Sequence, residues 1–339
     1  MKPFRDLTPI GQARRLRPLA SRVLEAFGVR AVRLRQLTAA SNIIFRVDAE
    51  GGRRLVLRIT SPKSRHSIEN VCSEVSWVRA LFNSSDVIVP DPIPTSGGEF
   101  VLPLEAPDLP GSWHCTLQGF LPGVNLSKRL TPENVALQGA LAARLHAHGE
   151  RFDPPEGFRI RTYRTLFPYS DTGFPNPEPI MLFDRCLPKL MPPKRIIVFR
   201  DAHDRIRKVI ERLFEARTPH VIHNDLHLWN VLIHRGRPAA LDFEDLLLGH
   251  PIQDIATTLY YYRYNADYEE LLSAFRRGYE SVRAWPEDRR GPLEALIAAR
   301  GILLANYVAA SQDAAEPAIA PEYLARMERR LREFLKKAD

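Results

Sequence analysis

One stretch constrains this chain more than any other. It reads His223-Asn224-Asp225-Leu226-His227-Leu228-Trp229-Asn230, and it is followed by Leu241-Asp242-Phe243-Glu244-Asp245. β-prone runs flank the first segment, Pro219-His220-Val221-Ile222 before it and Val231-Leu232-Ile233-His234 after it, so its polar residues are expected on a loop between strands. Phosphoryl transfer to a hydroxyl needs a carboxylate that accepts or orients the acceptor's proton, and oxygen ligands that hold magnesium against the phosphates. Asp225 suits the first role; Asn230 and Asp242 suit the second. A lone His-x-Asp would carry little weight, because loop His and Asp residues more often stabilise turns than catalyse.

Here the His-x-Asp is joined by an Asn five residues after the Asp and by Asp-Phe after an intervening hairpin, the ordered parts of eukaryotic-type kinases. The segment resembles the aminoglycoside phosphotransferase and choline kinase superfamily, whose loop usually reads HGDxHxxN ahead of a DF-acidic motif. The resemblance implies an α+β, bilobal protein-kinase-like fold. A small antiparallel β-sheet lobe would occupy residues 1–120 and a mainly helical lobe residues 121–339. It also implies an ATP- or GTP-dependent kinase acting on a small-molecule hydroxyl, with Asp225 catalytic and Asn230 and Asp242 holding Mg2+. The branch related to homoserine kinase type II fits the N-terminal half best. Two residues depart from the family pattern. Asn224 replaces the usual Gly, and Asn is among the few residues that adopt left-handed backbone angles. Trp229 stands where a small residue is common, and either narrows the acceptor pocket or packs against its lobe.

Composition excludes other classes. With 45% apolar and 26% charged residues over 339 positions, the chain can bury two cores and is unlike disordered or fibrous sequences. No run approaches the apolar length needed to cross a bilayer, and Met1-Lys2-Pro3-Phe4-Arg5-Asp6 lacks the apolar core of a signal peptide. The expected location is the cytoplasm, with no membrane partner. Cys72, Cys115 and Cys186 are widely spaced and fit no CxxC or CxxH pattern, which argues against a disulfide framework or zinc site. The net charge of +8 is dispersed and accompanied by no nucleic-acid recognition motif, so no nucleic-acid partner is expected. The oligomeric state is left open.

Along the chain, Leu16, Leu19, Val23, Leu24 and Phe27 have helical spacing among arginines. Such a basic amphipathic helix either packs on a core or lies on anionic lipid, and core packing is the commoner fate. Three strand-like runs follow, 31–37, 43–47 and 54–59, with the second turn carrying Gly51-Gly52. The first turn, Thr38 to Asn42, stands where a kinase covers the nucleotide phosphates, and its Ser41-Asn42 resembles the pair often found there in the superfamily. Arg58 occupies the place of the phosphate-pairing Lys. Glu74 is the expected partner on the next helix, with Glu69 as the alternative. That helix, about 67–83, is expected to bury Val71, Val75, Val78, Leu81 and Phe82. Proline-rich 87–94 reads as a connector or edge strand, and 100–102 and 115–120 complete the sheet. The run through Gln118 and Phe120 into Leu121-Pro122-Gly123 resembles the family's hinge, where backbone groups of Gln118 to Phe120 would meet the adenine.

A helix over about 132–148 looks like the family's lobe-floor helix, and its His146 and His148 have no spaced metal partners. The stretch 154–193 is irregular and reads as an insertion or lid. A long helix over 196–216 leads to the catalytic loop, and Asp254 matches a family aspartate that supports that loop. Helical spacing fills the rest, and Phe275-Arg276-Arg277-Gly278-Tyr279 resembles another family segment. Glu244, Asp245, Asp267, Glu269 and Glu270 are the acids available to a cationic acceptor. The acceptor classes left open are choline or another amino alcohol, a homoserine-like amino acid, an aminoglycoside, a sugar and even a protein serine. A non-catalytic nucleotide-binding pseudokinase is the competing class, disfavoured because Asp225, Asn230 and Asp242 are all present.

Overall fold

Apolar residues at every second position of consecutive runs build a sheet with one dry face. The computed structural model describes residues 4–39, 42–105, 109, 111, 113–183, 187–286, 290–310 and 316–337. Contacts divide the chain into two units, Met1–Pro122 with Asp153–Arg159, and Gly123–Phe152 with Ile160–Asp339.

The first unit opens with α1 (Pro9–Ala26), whose N-cap Thr8 accepts the Gly11 amide hydrogen bond. β1 (Ala31–Ala39), β2 (Asn42–Ala49) and β3 (Arg54–Thr60) follow as an antiparallel meander. In the turn between β2 and β3, Gly51 and Gly52 take φ of 73° and 76°, a region that glycine enters without steric cost. After α2 (Ile68–Ser84) come β4 (Pro92–Ile93), β5 (Leu102–Leu104) and β6 (Trp113–Gly119). The strand order is β1-β2-β3-β6-β4, with β5 pairing a different stretch of β6. Leu16, Leu19, Val23 and Leu24 of α1, with Phe27, share one core with Leu34, Phe45, Val47, Leu55, Leu57 and Ile59 of the sheet. The apolar stripe of the basic helix therefore faces protein.

Two expectations for this unit are corrected. Phe82 is 47% exposed while Trp77 is buried. The buried face of α2 is centred on Asn70, Glu74 and Leu81, and the 100° step per residue leaves Phe82 at its rim. The strand expected at 100–102 begins instead at Leu102, and Phe100 lies outside it with the Arg79 guanidinium 3.9 Å from its ring centre. The segment Asp153–Arg159 is tied to α2 through Asn70 Nδ2 to the Arg159 carbonyl and the Arg159 amide to Ser73 Oγ.

The second unit contains β7 (Val124–Asn125), α3 (Pro132–Arg151), β8 (Arg161–Thr162), α4 (Pro193–Ala216), β9 (His220–Ile222), β10 (Val231–His234), β11 (Arg237–Ala240) and β12 (Leu247–Gly249). Four helices complete it: α5 (Pro251–Tyr260), α6 (Tyr268–Glu280), α7 (Arg290–Ala310) and α8 (Glu316–Lys336). The short strands form two small sheets, β11-β10-β7 and β8-β12-β9. Two glycines allow α3 and α6 to cross closely. A Cβ built on Gly139 would lie 2.0 Å from the Phe275 carbonyl oxygen, and one on Gly278 1.8 Å from that of Ala136.

The irregular stretch expected as an insertion or lid is part of this unit's interior from Ile160 onward. Its Tyr163, Leu166, Phe167, Tyr169 and Leu182 are all buried, because aromatic side chains can fill space between helices without regular backbone. The expectation that no run is long and apolar enough to cross a bilayer is also corrected. Gly291–Ala310 passes by length and composition, although 72% of that window is buried. The helix α7 packs against α4, α5 and α8 within the unit.

Candidate active site

The loop between β9 and β10 is fixed by one buried carboxylate. Asp254 of α5 is 2% exposed. It accepts the backbone amides of His223 (3.1 Å) and Asn224 (2.7 Å), and its Oδ2 lies 2.9 Å from His146 Nε2. Burial alone would raise its pKa, but these hydrogen bonds and the neighbouring histidines hold it below the ordinary carboxylate value. The opposite ring nitrogen of His146 contacts the Tyr279 hydroxyl, 2.9 Å away, so this histidine joins three elements of the unit. Asn224 takes φ of 63°, the left-handed conformation that its side chain tolerates. Its Nδ2 donates to the Tyr169 hydroxyl. The Leu226 carbonyl accepts from Gln138 Nε2 and Thr258 Oγ1.

His223 links this loop to the Asp242 segment. Its Nε2 donates to the Leu241 carbonyl at 3.0 Å, its Nδ1 accepts the Asp225 amide, and its ring packs on Phe243. Burial lowers its pKa, which agrees with a neutral ring using one nitrogen as donor and the other as acceptor. The β10–β11 hairpin then pairs Val231 with Ala240, and the Leu241 amide donates to the Asn230 carbonyl. Asn230 and Asp242 are thereby brought to the same end of one hairpin.

Asp225 is held at both carboxylate oxygens. Its Oδ2 accepts from Asn230 Nδ2 at 3.2 Å and lies 3.4 Å from His227 Nε2. Its Oδ1 is 2.5 Å from Nη2 of Arg300, which also donates to the Tyr261 hydroxyl at 2.9 Å. Burial works against the charge on Arg300, but Asp225 and Tyr261 outweigh it and raise the pKa, so the guanidinium stays ionised. His227 is pushed down to about 4 by burial and by the charge of Arg300. Trp229 is 52% exposed, and its ring meets His227 and Tyr261 edge-on.

The donor set fits a magnesium ion. Asn230 spends its Nδ2 on the Asp225 carbonyl and carboxylate, which leaves its side-chain Oδ1 as the atom suited to ligate. Asp242 is exposed and takes φ of 60°, a strained conformation of the sort that functional positions retain. Two oxygen donors, completed by phosphate oxygens and water, suit Mg2+ better than a closed protein cage would. Among the described residues no cluster of three or more His, Cys, Asp or Glu forms such a cage.

In the first unit, Arg58 and Glu74 form a two-pronged pair, Nη1 to Oε1 at 2.9 Å and Nη2 to Oε2 at 2.6 Å. Arg58 lies on β3, an interior strand, opposite Ile44 and Thr116. The alternative Glu69 sits in the first turn of α2 instead. Asn42 opens β2 opposite Thr60 and is buried; Ser41 lies outside the described residues, as does Cys186. Gln118 pairs with Val56 and Pro92. The amides of Gly119 and Phe120 already donate to Asp91 and Arg54, and the Phe120 ring lies 5.4 Å from the guanidinium groups of both Arg46 and Arg54. The expected adenine contact cannot use those two amides, because the sheet has taken them.

The acids considered for a cationic acceptor lie on two segments of the chain. Glu269 and Glu270 occupy the first turn of α6, with Asp267 just before them, where acidic groups complement the helix dipole. Asp245 is buried near His223 and His227. Sequence reasoning missed Arg300 and Tyr261. The available signal was one cation, Arg300, inside the long apolar run of α7.

Residues 33–293 match the sequence model of the Phosphotransferase enzyme family. No curated protein sequence matches the chain. Among solved structures, a microcompartment-associated aminopropanol kinase superposes with a TM-score of 0.75 at 22% identity, covering 94% of this chain and 97% of its own. The amicoumacin kinase hAmiN, solved with AMP-PNP, Ca2+ and Ami, gives 0.71 at 18% identity and coverages of 92% and 93%. A ternary complex of aminoglycoside phosphotransferase APH(4)-Ia with ADP and hygromycin B gives 0.61 at 18%, with coverages of 91% and 97%. Likeness at these identities establishes a shared α+β fold.

Proposed function

The chain belongs to the phosphotransferase enzyme family, and on that premise we propose that it is a small-molecule kinase that moves the γ-phosphoryl group of ATP or GTP to an alcohol hydroxyl. The observation that carries this reading is the hairpin geometry: Asp225 is hydrogen-bonded to Asn230, and the Asn230 carbonyl accepts from Leu241, next to Asp242. In the reaction the acceptor oxygen forms a bond to the γ-phosphorus as the bond to the β–γ bridging oxygen breaks. The nucleoside diphosphate leaves with that electron pair, and the hydroxyl proton passes to Asp225. Mg2+, when bound, supplies positive charge against the phosphate oxygens, and Asn230 and Asp242 are the residues that would hold it. Arg58, kept in place by Glu74, is suited to steady the nucleotide phosphates. Because such transition states demand little covalent chemistry from the protein, positioning and charge neutralisation carry most of the rate.

The complexes of relatives with AMP-PNP and Ca2+, or with ADP and hygromycin B, support a nucleotide co-substrate, a divalent ion and a small-molecule acceptor here. The test is turnover with Mg2+ and ATP or GTP against pooled amino alcohols, hydroxylated amino acids, aminoglycosides and sugars, read by mass spectrometry. A product heavier by one phosphoryl group, absent with Asp225→Ala, is expected. Full activity of both Asp225→Ala and Asp242→Ala would contradict the assignment.

A further inference from the structure

Arg300 is a charged side chain only 6% exposed, placed against the residue that receives the acceptor hydroxyl. Both of its hydrogen bonds leave from Nη2, and its Nε is buried with no partner among the described residues. Two further polar atoms of the same loop, Asn224 Oδ1 and His227 Nδ1, are likewise buried without a described partner. A folded core rarely leaves such groups unmatched, and each one calls for a reason such as strain, a catalytic role or a bound water or ion. The side from which Arg300 approaches matters. Asn230, a candidate metal ligand, sits on Oδ2 of Asp225, whereas Arg300 sits on Oδ1. Arg300 therefore contacts the carboxylate oxygen of Asp225 that Asn230 leaves untouched.

Resting on the kinase reading above, we propose that Arg300 is an anchor for an acidic acceptor. The acceptor would be a short hydroxy acid whose carboxylate sits on the guanidinium while its hydroxyl is presented to Asp225. As the hydroxyl takes up a hydrogen bond to Asp225, the guanidinium loses part of its single described ion-pair partner and remains desolvated. A carboxylate on the same small molecule restores that pairing with charge-assisted hydrogen bonds. An acceptor with a net positive charge and no carboxylate meets like charge at this point and is disfavoured. Tyr261, which shares Nη2 with Asp225, keeps the guanidinium oriented.

The test compares acceptors matched in size but not in charge, with the full chain, Mg2+ and ATP or GTP: glycerate against glycerol, and L-homoserine against its carboxamide. Wild type is expected to favour the acid of each pair by about tenfold or more in kcat/KM, a discrimination in the range of a buried charge-assisted contact. Arg300→Met should erase that preference through KM of the acid, and Arg300→Lys should retain part of it. The wild-type comparison needs no variant, so a misfolded Arg300→Met does not obscure the outcome. Equal use of acid and neutral partners by wild type, with phosphoryl transfer intact, would overturn the anchor and leave the kinase standing. So would an Arg300→Met enzyme that loses kcat equally for both, since that marks a residue that positions Asp225. Calorimetric titration with 2-aminobutyrate, which lacks the hydroxyl, reads the anchor apart from turnover. Arg300-dependent binding without any transfer would support the anchor while sinking the kinase reading.

Discussion

Replacing Asp254 by Asn should loosen the loop that carries Asp225 while leaving the chain folded. In the native protein the two carboxylate oxygens accept two loop amides and one imidazole nitrogen. An Asn side chain keeps one acceptor oxygen and turns an NH2 group toward donors. One charge-assisted bond is lost, about 1.5–3 kcal/mol, and one loop amide is left buried without an acceptor, about 1–3 kcal/mol more. Removing a buried charge offsets some of this, since burial alone works against the ionised form. The net loss is therefore about 2–4 kcal/mol, within the total of about 5–15 kcal/mol that ordinary domains possess. Urea denaturation followed by tryptophan fluorescence should show this shift. Phosphoryl transfer should fall about tenfold or more, because small misplacements of a reacting group are costly. The acid limb should change too. The folded pKa of Asp254 is depressed, so its contribution is present above the ordinary value of 3.8 and is lost as pH falls below it; the Asn variant lacks that loss. An Asp254→Asn protein within about 1 kcal/mol of wild type and equally active would refute the reasoning.

Other outcomes follow from the same geometry. Gly278→Ala gains about 1 kcal/mol of helix propensity, but its methyl would sit 1.8 Å from the Ala136 carbonyl, so α3 and α6 must part. A net loss of about 2 kcal/mol is expected, seen as a lower Tm, and a stabilised variant would contradict the crossing. Burial pushes His114, His227 and His250 down to about 4. The unfolded chain therefore binds more protons between pH 6.5 and 4, and stability should fall as pH drops through that window, by up to about 3 kcal/mol per histidine. Urea midpoints measured across that range check this, and His250→Asn should flatten the slope. Glu74→Gln breaks half of the Arg58 pair; KM for the nucleotide should rise about tenfold with the acceptor KM little changed, and unaltered nucleotide kinetics would remove Arg58 from the site.

The parts of the candidate site whose grouping was legible in the sequence are those the chain keeps close together. His223, Asp225, Asn230 and Asp242 lie along one loop and one hairpin, so their order in the chain anticipates that they stand together. Glu74, the expected partner of Arg58, is the acid that pairs with it, and Glu69 stands in the first turn of α2 instead. Arg300 reaches Asp225 across 75 residues of sequence, and no local pattern announces such a contact. Its one local mark was a cation in an apolar helix, and that helix also mimicked a membrane span by length and composition. Phe82 and the start of β5 were misread because hydrophobicity reports that a residue can be buried, while the partner elements decide whether it is.

The central claim is that this chain transfers a phosphoryl group to oxygen, and phosphorus NMR of the reaction with Mg2+, ATP or GTP and pooled acceptors tests it most directly. The account predicts a new phosphomonoester resonance that grows as nucleoside diphosphate appears and that is absent with Asp225→Ala. Nucleotide consumed only to inorganic phosphate, or no nucleotide consumed with any acceptor class, would contradict it.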